Sequence, residues 1–199
     1  MVIYGYLMVT RAVDPVGLER ARMVQVSSGV VPQPPSIADG LVYVALQELA
    51  TRVAHHNTGR RLDAAGDSVM KRVAADENLH HLFYRDLVSA ALELDPSTMI
   101  EAIERQVTDF EMPGVGIPQF RRHAAAIASA GIYDLSVHHF HVLAPVVERR
   151  WAVADLDGLD ANAARSRDRL MSRLTKSERV AHRLQERRDE RRLASSAAP

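Results

Sequence analysis

The sequence predicts an all-α chain. Apolar residues recur at helical spacing through the long segments, while the one-on, one-off alternation of strands is scarce. Helix-start signals such as Asp14-Pro15 and Asp95-Pro96 stand at the heads of those segments. Clusters of glycine and proline, SSGVVPQPP (27–35) and MPGVGIP (112–118), stand where helices cannot continue.

In chain order, a first helix is expected over 15–28, with Asp14 as cap and proline in the first turn. SSGVVPQPP is then a loop, and a second helix runs from about Ser36 to about His56. NTGRRLDAAGD (57–67) reads as a helix corner. The longest core helix is expected from about Asp67 to Leu94, where Asp95-Pro96 ends it and opens a fourth reaching about Phe110. MPGVGIP is a rigid turn, and the prolines at 113, 118 and 145 read as turn or kink devices. Helices follow at about 119–130, closed by Gly131, and at 134–152, capped by Asp134. DLDGLD (155–160) leads to a charged helix reaching about Leu193, and ASSAAP reads as a frayed end. The expected division is a helical domain over 1–159 followed by a charged, net basic helix and tail over 160–199.

Composition narrows the function classes. At 199 residues, 47% hydrophobic and 25% charged, the chain fits one soluble domain with a sizeable core. It has no cysteine, which excludes disulfides and thiolate-held iron–sulfur or zinc sites and suits a cytoplasmic location. No stretch reaches the ~18–20 apolar residues that span a bilayer. The opening MVIYGYLMVT lacks the basic start of a signal peptide. Net charge is zero, yet residues 160–193 hold eleven basic against six acidic residues. That segment reads as a solvated helix of mixed charge, with carrier or electron-donor contact as the alternative. It lacks aromatic residues for base stacking, and no nucleic-acid partner is expected.

Two carboxylates stand out. Glu48 shares a helical face with Leu41, Val44, Ala45 and Thr51. Glu77 and His80 share one with Met70, Val73, Ala74 and Tyr84. An ionised carboxylate on an apolar stripe is costly unless a cation or metal meets it. One Glu per helix, together with Glu-x-x-His, is the vocabulary of helix bundles that hold two irons. These ligand types suit iron or manganese. Spacing alone leaves a buried ion pair as the alternative, because one Glu-x-x-His among eleven Glu and nine His is close to chance.

The surrounding words narrow that choice. QELATRVAHHNTGRRL (47–62) followed by DENLHHLFYRDL (76–87) resembles the soluble acyl-carrier-protein desaturases, especially the actinobacterial type. YLMVTRAVDPVGLERAR (6–22), FEMPGVGIPQFRR (110–122), AGIYD (130–134) and Trp151 extend the resemblance in order. The resemblance implies a ferritin-like helical bundle, usually homodimeric, with a di-iron centre. Such an enzyme introduces a double bond into an acyl chain on acyl carrier protein, using O2 and electrons from a ferredoxin-type donor. It implies Glu48 and His80 as terminal ligands, Glu77 as the bridging ligand, and Thr51 as a hydroxyl assisting proton delivery.

The same resemblance calls for a second Glu helix and a second Glu-x-x-His, which this sequence does not contain. The sequence therefore reads as the second half of the metal bundle with the C-terminal helices. Three expectations stay open: a desaturase with a shortened chain, a non-catalytic helical remnant or interaction protein, and a half-site subunit completed by another chain. Arg121 and Arg122 are candidate contacts for the acidic carrier, with a solvated helix start as the alternative; Arg60 and Arg61 carry the same ambiguity. HHFH (138–141) has no paired carboxylate and reads as a histidine-rich surface or partly buried helix. His55 and His56 read as helix-end residues, with His55 on the Glu48 face.

Overall fold

The computed structural model describes residues 2–28 and 33–196, and among these the fold is helical throughout. In order they form α1 (Val2–Val9), α2 (Pro15–Ser28), α3 (Ile37–Gly59), α4 (Ala64–Leu94), α5 (Pro96–Thr108), α6 (Phe120–Ser129) and α7 (Leu135–His138). A π-helix over His139–Arg150, a 3-10 turn at Val153–Asp155 and the long α8 (Ala161–Ser196) complete it. Part of the loop expected at 27–35 and the last three residues of ASSAAP lie outside the described residues.

The helix starts follow local chemistry. Asp14 accepts from the Gly17 amide, Ser36 from Asp39, Asp63 from Gly66, Asp95 from Thr98 and Asp134 from Val137. At the corner between α3 and α4, Gly59 is buried. A Cβ there would lie 2.9 Å from Asp67 Oδ1 and 3.0 Å from Met70 Cβ, so only glycine lets the two helices meet this closely. α3 therefore runs on to Gly59, and α4 begins at Ala64, three residues before the expected start.

The antiparallel α3–α4 pair is the backbone of the molecule. Val42, Leu46 and Leu49 of α3 and Val88 and Leu92 of α4 bury against Ile100 and Ile103 of α5 and Val142, Val146 and Val147 of the π-helix. α8 closes this core with Ala163, Leu170 and Leu174, while Arg169 forks onto Glu104 of α5 at 3.1–3.2 Å. The inner stripe of this charged helix is thus part of the core. α1 and α2 contrast with it: Val2, Tyr4, Val9, Val16, Val24 and Val26 are all exposed. Tyr6 holds α1 to the head of α4 by donating to Asp63 at 3.1 Å.

Asp39 is fully buried in the first turn of α3 and receives two bonds from the Arg105 guanidinium, at 2.9 and 3.0 Å. Gln106 donates at 3.0 Å and the Ser36 hydroxyl at 2.5 Å. Burial alone would raise this carboxyl, but Arg105, Ser36 and Gln106 outweigh it and hold the pKa at about 2.

HHFH straddles the end of α7 and the start of the π-helix, which also holds Pro145. Proline cannot donate to an α-helical ladder, and the wider turn accommodates it. The helix ends on an i→i−5 bond, from the Trp151 amide to the Val146 carbonyl at 2.8 Å. His138 and His139 point inward. His138 stacks on Phe110 with ring centroids 4.6 Å apart, and its Nδ1 lies 2.8 Å from the Tyr133 hydroxyl. Burial, aided by neighbouring His139, pushes His138 down to about 4, so it is neutral in the folded chain at pH 5.

The unfolded chain takes up that proton near 6.5. Between about pH 6.5 and 4 the unfolded state therefore binds more protons, and stability is lost as pH falls through this window. We expect His138 alone to account for roughly 3 kcal/mol of that loss. Urea unfolding at pH 7 and pH 4.5 should show a smaller pH difference in His138→Gln; identical slopes in the two proteins would refute the assignment.

Candidate metal centre

Glu48 faces α4 from the middle of α3, and Glu77 and His80 stand one turn apart on the facing stretch of α4. One ligand atom from each of the three lies within 4.8 Å of the others. His80 Nδ1 is 3.3 Å from Glu48 Oε2 and 3.4 Å from Glu77 Oε2. The Glu48 and Glu77 side chains are 16% and 22% exposed, and His80 is 59% exposed, so the cluster lies at the edge of the α3–α4 seam with its imidazole on the open side.

The electrostatics are those of crowded carboxylates. Burial first, then the adjoining Glu77 carboxylate, push Glu48 up to about 7, with His80 partly opposing. At His80 the lowering effect of desolvation is outweighed by Glu48 and Glu77, and its pKa is raised. Two carboxylates and an imidazole converging at a half-buried seam make a donor set that a divalent cation relieves: it compensates both charges and uses all three ligands. The donors, hard oxygens with one imidazole, fit iron or manganese.

Two neighbours that sequence reasoning did not assign to the cluster shape it. His55 Nε2 lies 3.6 Å from Glu77 Oε1, on the side away from His80. It was legible only as a position on the Glu48 face. His81, next to His80, is buried and holds its Nδ1 2.8 Å from the Ala45 carbonyl, tying α4 to the α3 backbone one turn before Glu48. Burial holds it below its ordinary pKa, so the neutral ring donates through Nδ1–H. Nothing in a His-His pair says which ring turns inward. His81→Ala should cost about 2 kcal/mol, because it removes a buried hydrogen bond and leaves a cavity. An unchanged thermal midpoint would contradict this.

The remaining predicted residues are placed as follows. Thr51 is one turn after Glu48, but its hydroxyl donates to the backbone carbonyls of Gln47 and Glu48, at 3.1 and 3.0 Å. Arg121 and Arg122 are exposed in the first turn of α6, and Arg122 bonds Gln119 at 3.3 Å. Neither arginine joins the cluster. Exposed Leu79, Phe83 and Leu87 form a stripe along α4 beside His80. Among the described residues no helix is long and apolar enough to cross a membrane.

An antiparallel helix pair carrying Glu on one member and Glu-x-x-His on the other is half of the carboxylate-ligated metal bundle. Comparison with known proteins agrees with that class. A family model described as fatty acid desaturase matches residues 1–198. DesA1 of Mycobacterium tuberculosis, named as an acyl-[acyl-carrier-protein] desaturase, is 40% identical over an alignment of 174 residues that covers 83% of this chain and 51% of DesA1. Acyl-[acyl-carrier-protein] desaturase 7 of Oryza sativa is 32% identical over 214 residues, covering the whole of this chain and 52% of the rice protein. The X-ray structure of DesA2 from Mycobacterium tuberculosis superposes with a TM-score of 0.63 at 26% identity, over 81% of this chain and 60% of that one. The chain belongs to the acyl-[acyl-carrier-protein] desaturase family, whose helical fold is ferritin-like. It spans about half the length of the curated relatives it matches.

Proposed function

We propose that this chain supplies half of a di-iron centre for O2-dependent desaturation of a fatty acyl chain held on acyl carrier protein, acting in the cytoplasm with a ferredoxin-type electron donor. The observation that carries the reading is the convergence of Glu48, Glu77 and His80 within 4.8 Å across α3 and α4. Family membership supports the substrate class, since the relatives are named for it.

In this reading Glu48, Glu77 and His80 would hold the iron, Glu48 and His80 in the terminal role and Glu77 in the bridging role that the resemblance implies. When bound, the iron pair supplies O2 activation, using electrons from the donor to remove two hydrogens from the acyl chain. The residues around it have definite tasks. His81 fixes the register of α4 against α3, so that the ligands meet. His55 steadies the free side of Glu77. Thr51, one turn beyond Glu48, would assist proton delivery once its hydroxyl turned away from the Gln47 and Glu48 carbonyls it now bonds. Arg121 and Arg122 would face the acidic carrier.

A second reading has one specific observation in its favour. The apolar stripe of Leu79, Phe83 and Leu87 is exposed beside His80, and surfaces of this kind mark contact with a partner. Helices carrying a second Glu and a second Glu-x-x-His, on another polypeptide or in a homodimer, would cover it and complete the ligand count. The test is complementation. Co-expression with such a partner should raise iron to about two per complex and confer desaturation, whereas a partner lacking those ligands should confer neither. Failure of the ligand-bearing partner to raise iron would sink the proposal.

A further inference from the structure

The turn MPGVGIP (112–118) and α6 stand apart from the core, and α6 buries no residue. The turn is held by its own backbone. The Ile117 amide donates to the Gly114 carbonyl at 2.8 Å, and the Phe120 amide donates to the Ile117 carbonyl at 3.0 Å. Pro113 and Pro118 fix their own φ, and Gly114 takes a φ of 103° that favours glycine. The tip of this stiff turn holds Val115 and Ile117 in water at 41% and 49% exposure, and Ile127 follows along α6 at 42%. The bond from Phe120 to Ile117 sets the first turn of α6 against the tip, and that turn carries Arg121, Arg122 and His123, all exposed. From Met112 to Tyr133 the chain has no acidic residue. Neither arginine has a carboxylate partner among the described residues; Arg122 donates to Gln119 at 3.3 Å.

A partner for this segment must supply negative charge and an apolar phase side by side. Contact with an acidic carrier uses the charge of Arg121 and Arg122 alone and leaves Val115 and Ile117 in water. Protein hot spots favour aromatic anchors over valine, and no aromatic side chain is exposed between 112 and 133. An anionic bilayer offers both components at neighbouring depths. Its phosphates attract basic residues at the surface, and the acyl boundary beneath them takes up aliphatic side chains. We propose that the 112–127 segment is a membrane-surface contact, in which Val115 and Ile117 enter the apolar boundary of an anionic bilayer and Arg121 and Arg122 meet its lipid phosphates. The contact is peripheral, since no helix among the described residues is long and apolar enough to cross. It stands on the geometry of this segment and not on the metal centre.

Sedimentation of the full chain with lipid vesicles tests this independently of iron. Vesicles of phosphatidylglycerol and phosphatidylcholine in equal parts should retain at least about fivefold more protein than phosphatidylcholine alone, and added salt should weaken that retention. Val115→Ser with Ile117→Ser should cut retention on the anionic vesicles about fivefold or more, with helical content unchanged by circular dichroism. Arg121→Gln with Arg122→Gln should do the same. Leu79→Gln with Phe83→Gln removes exposed apolar area from the α4 stripe instead, and should leave retention within about twofold. Retention lost with the arginines but kept without Val115 and Ile117 would identify a purely electrostatic surface, of the kind an acidic carrier needs, and would overturn the proposal. So would equal retention on neutral vesicles, no retention on either, or a loss in the Leu79 and Phe83 variant as large as that in the tip variant.

Discussion

Glu77→Ala should abolish the iron and the desaturation gained when this chain is complemented by a Glu and Glu-x-x-His half, while leaving the chain folded. Residues that merely orient a metal ligand typically cost about 10–100-fold in affinity or activity when removed. Loss of a carboxylate that reaches between two metals should exceed that range. Removing Glu77 also takes away the charge that crowds Glu48, so the empty protein should become no less stable. That pair of effects, lost metal without lost fold, separates a ligand from a structural ion pair. A large fall in stability with iron content unchanged would identify Glu77 as structural.

The largest expected effect on stability lies away from the cluster. Asp39→Ala should lower the unfolding free energy by about 2–4 kcal/mol, because it leaves a buried hole and takes the shared acceptor from the Gln106 amide and the half-exposed Arg105 guanidinium. The lowered pKa sets the sign of the pH dependence, and stability falls as pH falls. Since Asp39 titrates at about 2 when folded and near 3.8 otherwise, its contribution is complete above the latter. It is lost as pH falls through the former, on the order of 2 kcal/mol in all. Denaturant unfolding of the variant at neutral pH measures the first effect. A midpoint equal to that of the unaltered chain would show that α3 and α5 dock without this lock.

How much of this was legible depended on whether the signal was local. Asp14-Pro15, Asp95-Pro96 and Asp134 marked helix starts because a cap acts within its own turn. The Glu48, Glu77 and His80 cluster was legible because two helical stripes each placed a carboxylate where packing would not want one. Long-range partnerships were not legible. Asp39 carries no local signal that sets it apart, and its lock depends on Arg105, sixty-six positions away. α1 was missed because its apolar run is buried nowhere, and so carries no one-sided pattern. From His139 onward the stretch is a π-helix, so the period of 3.6 assumed for it does not apply; His139 is buried and His141 is exposed. His81 was hidden beside His80 because only the crossing of α3 and α4 decides which ring is buried.

The central claim is that Glu48, Glu77 and His80 form a metal half-site, and anaerobic titration of the purified chain with ferrous iron tests it most directly. Iron per chain would be measured by mass spectrometry and ligand type by X-ray absorption. The account predicts about one iron or fewer per chain, in a nitrogen–oxygen environment without sulfur, and none above background in Glu77→Ala or His80→Ala. Iron bound equally by the wild-type chain and both variants, or no iron bound by the wild-type chain at any ratio, would contradict it.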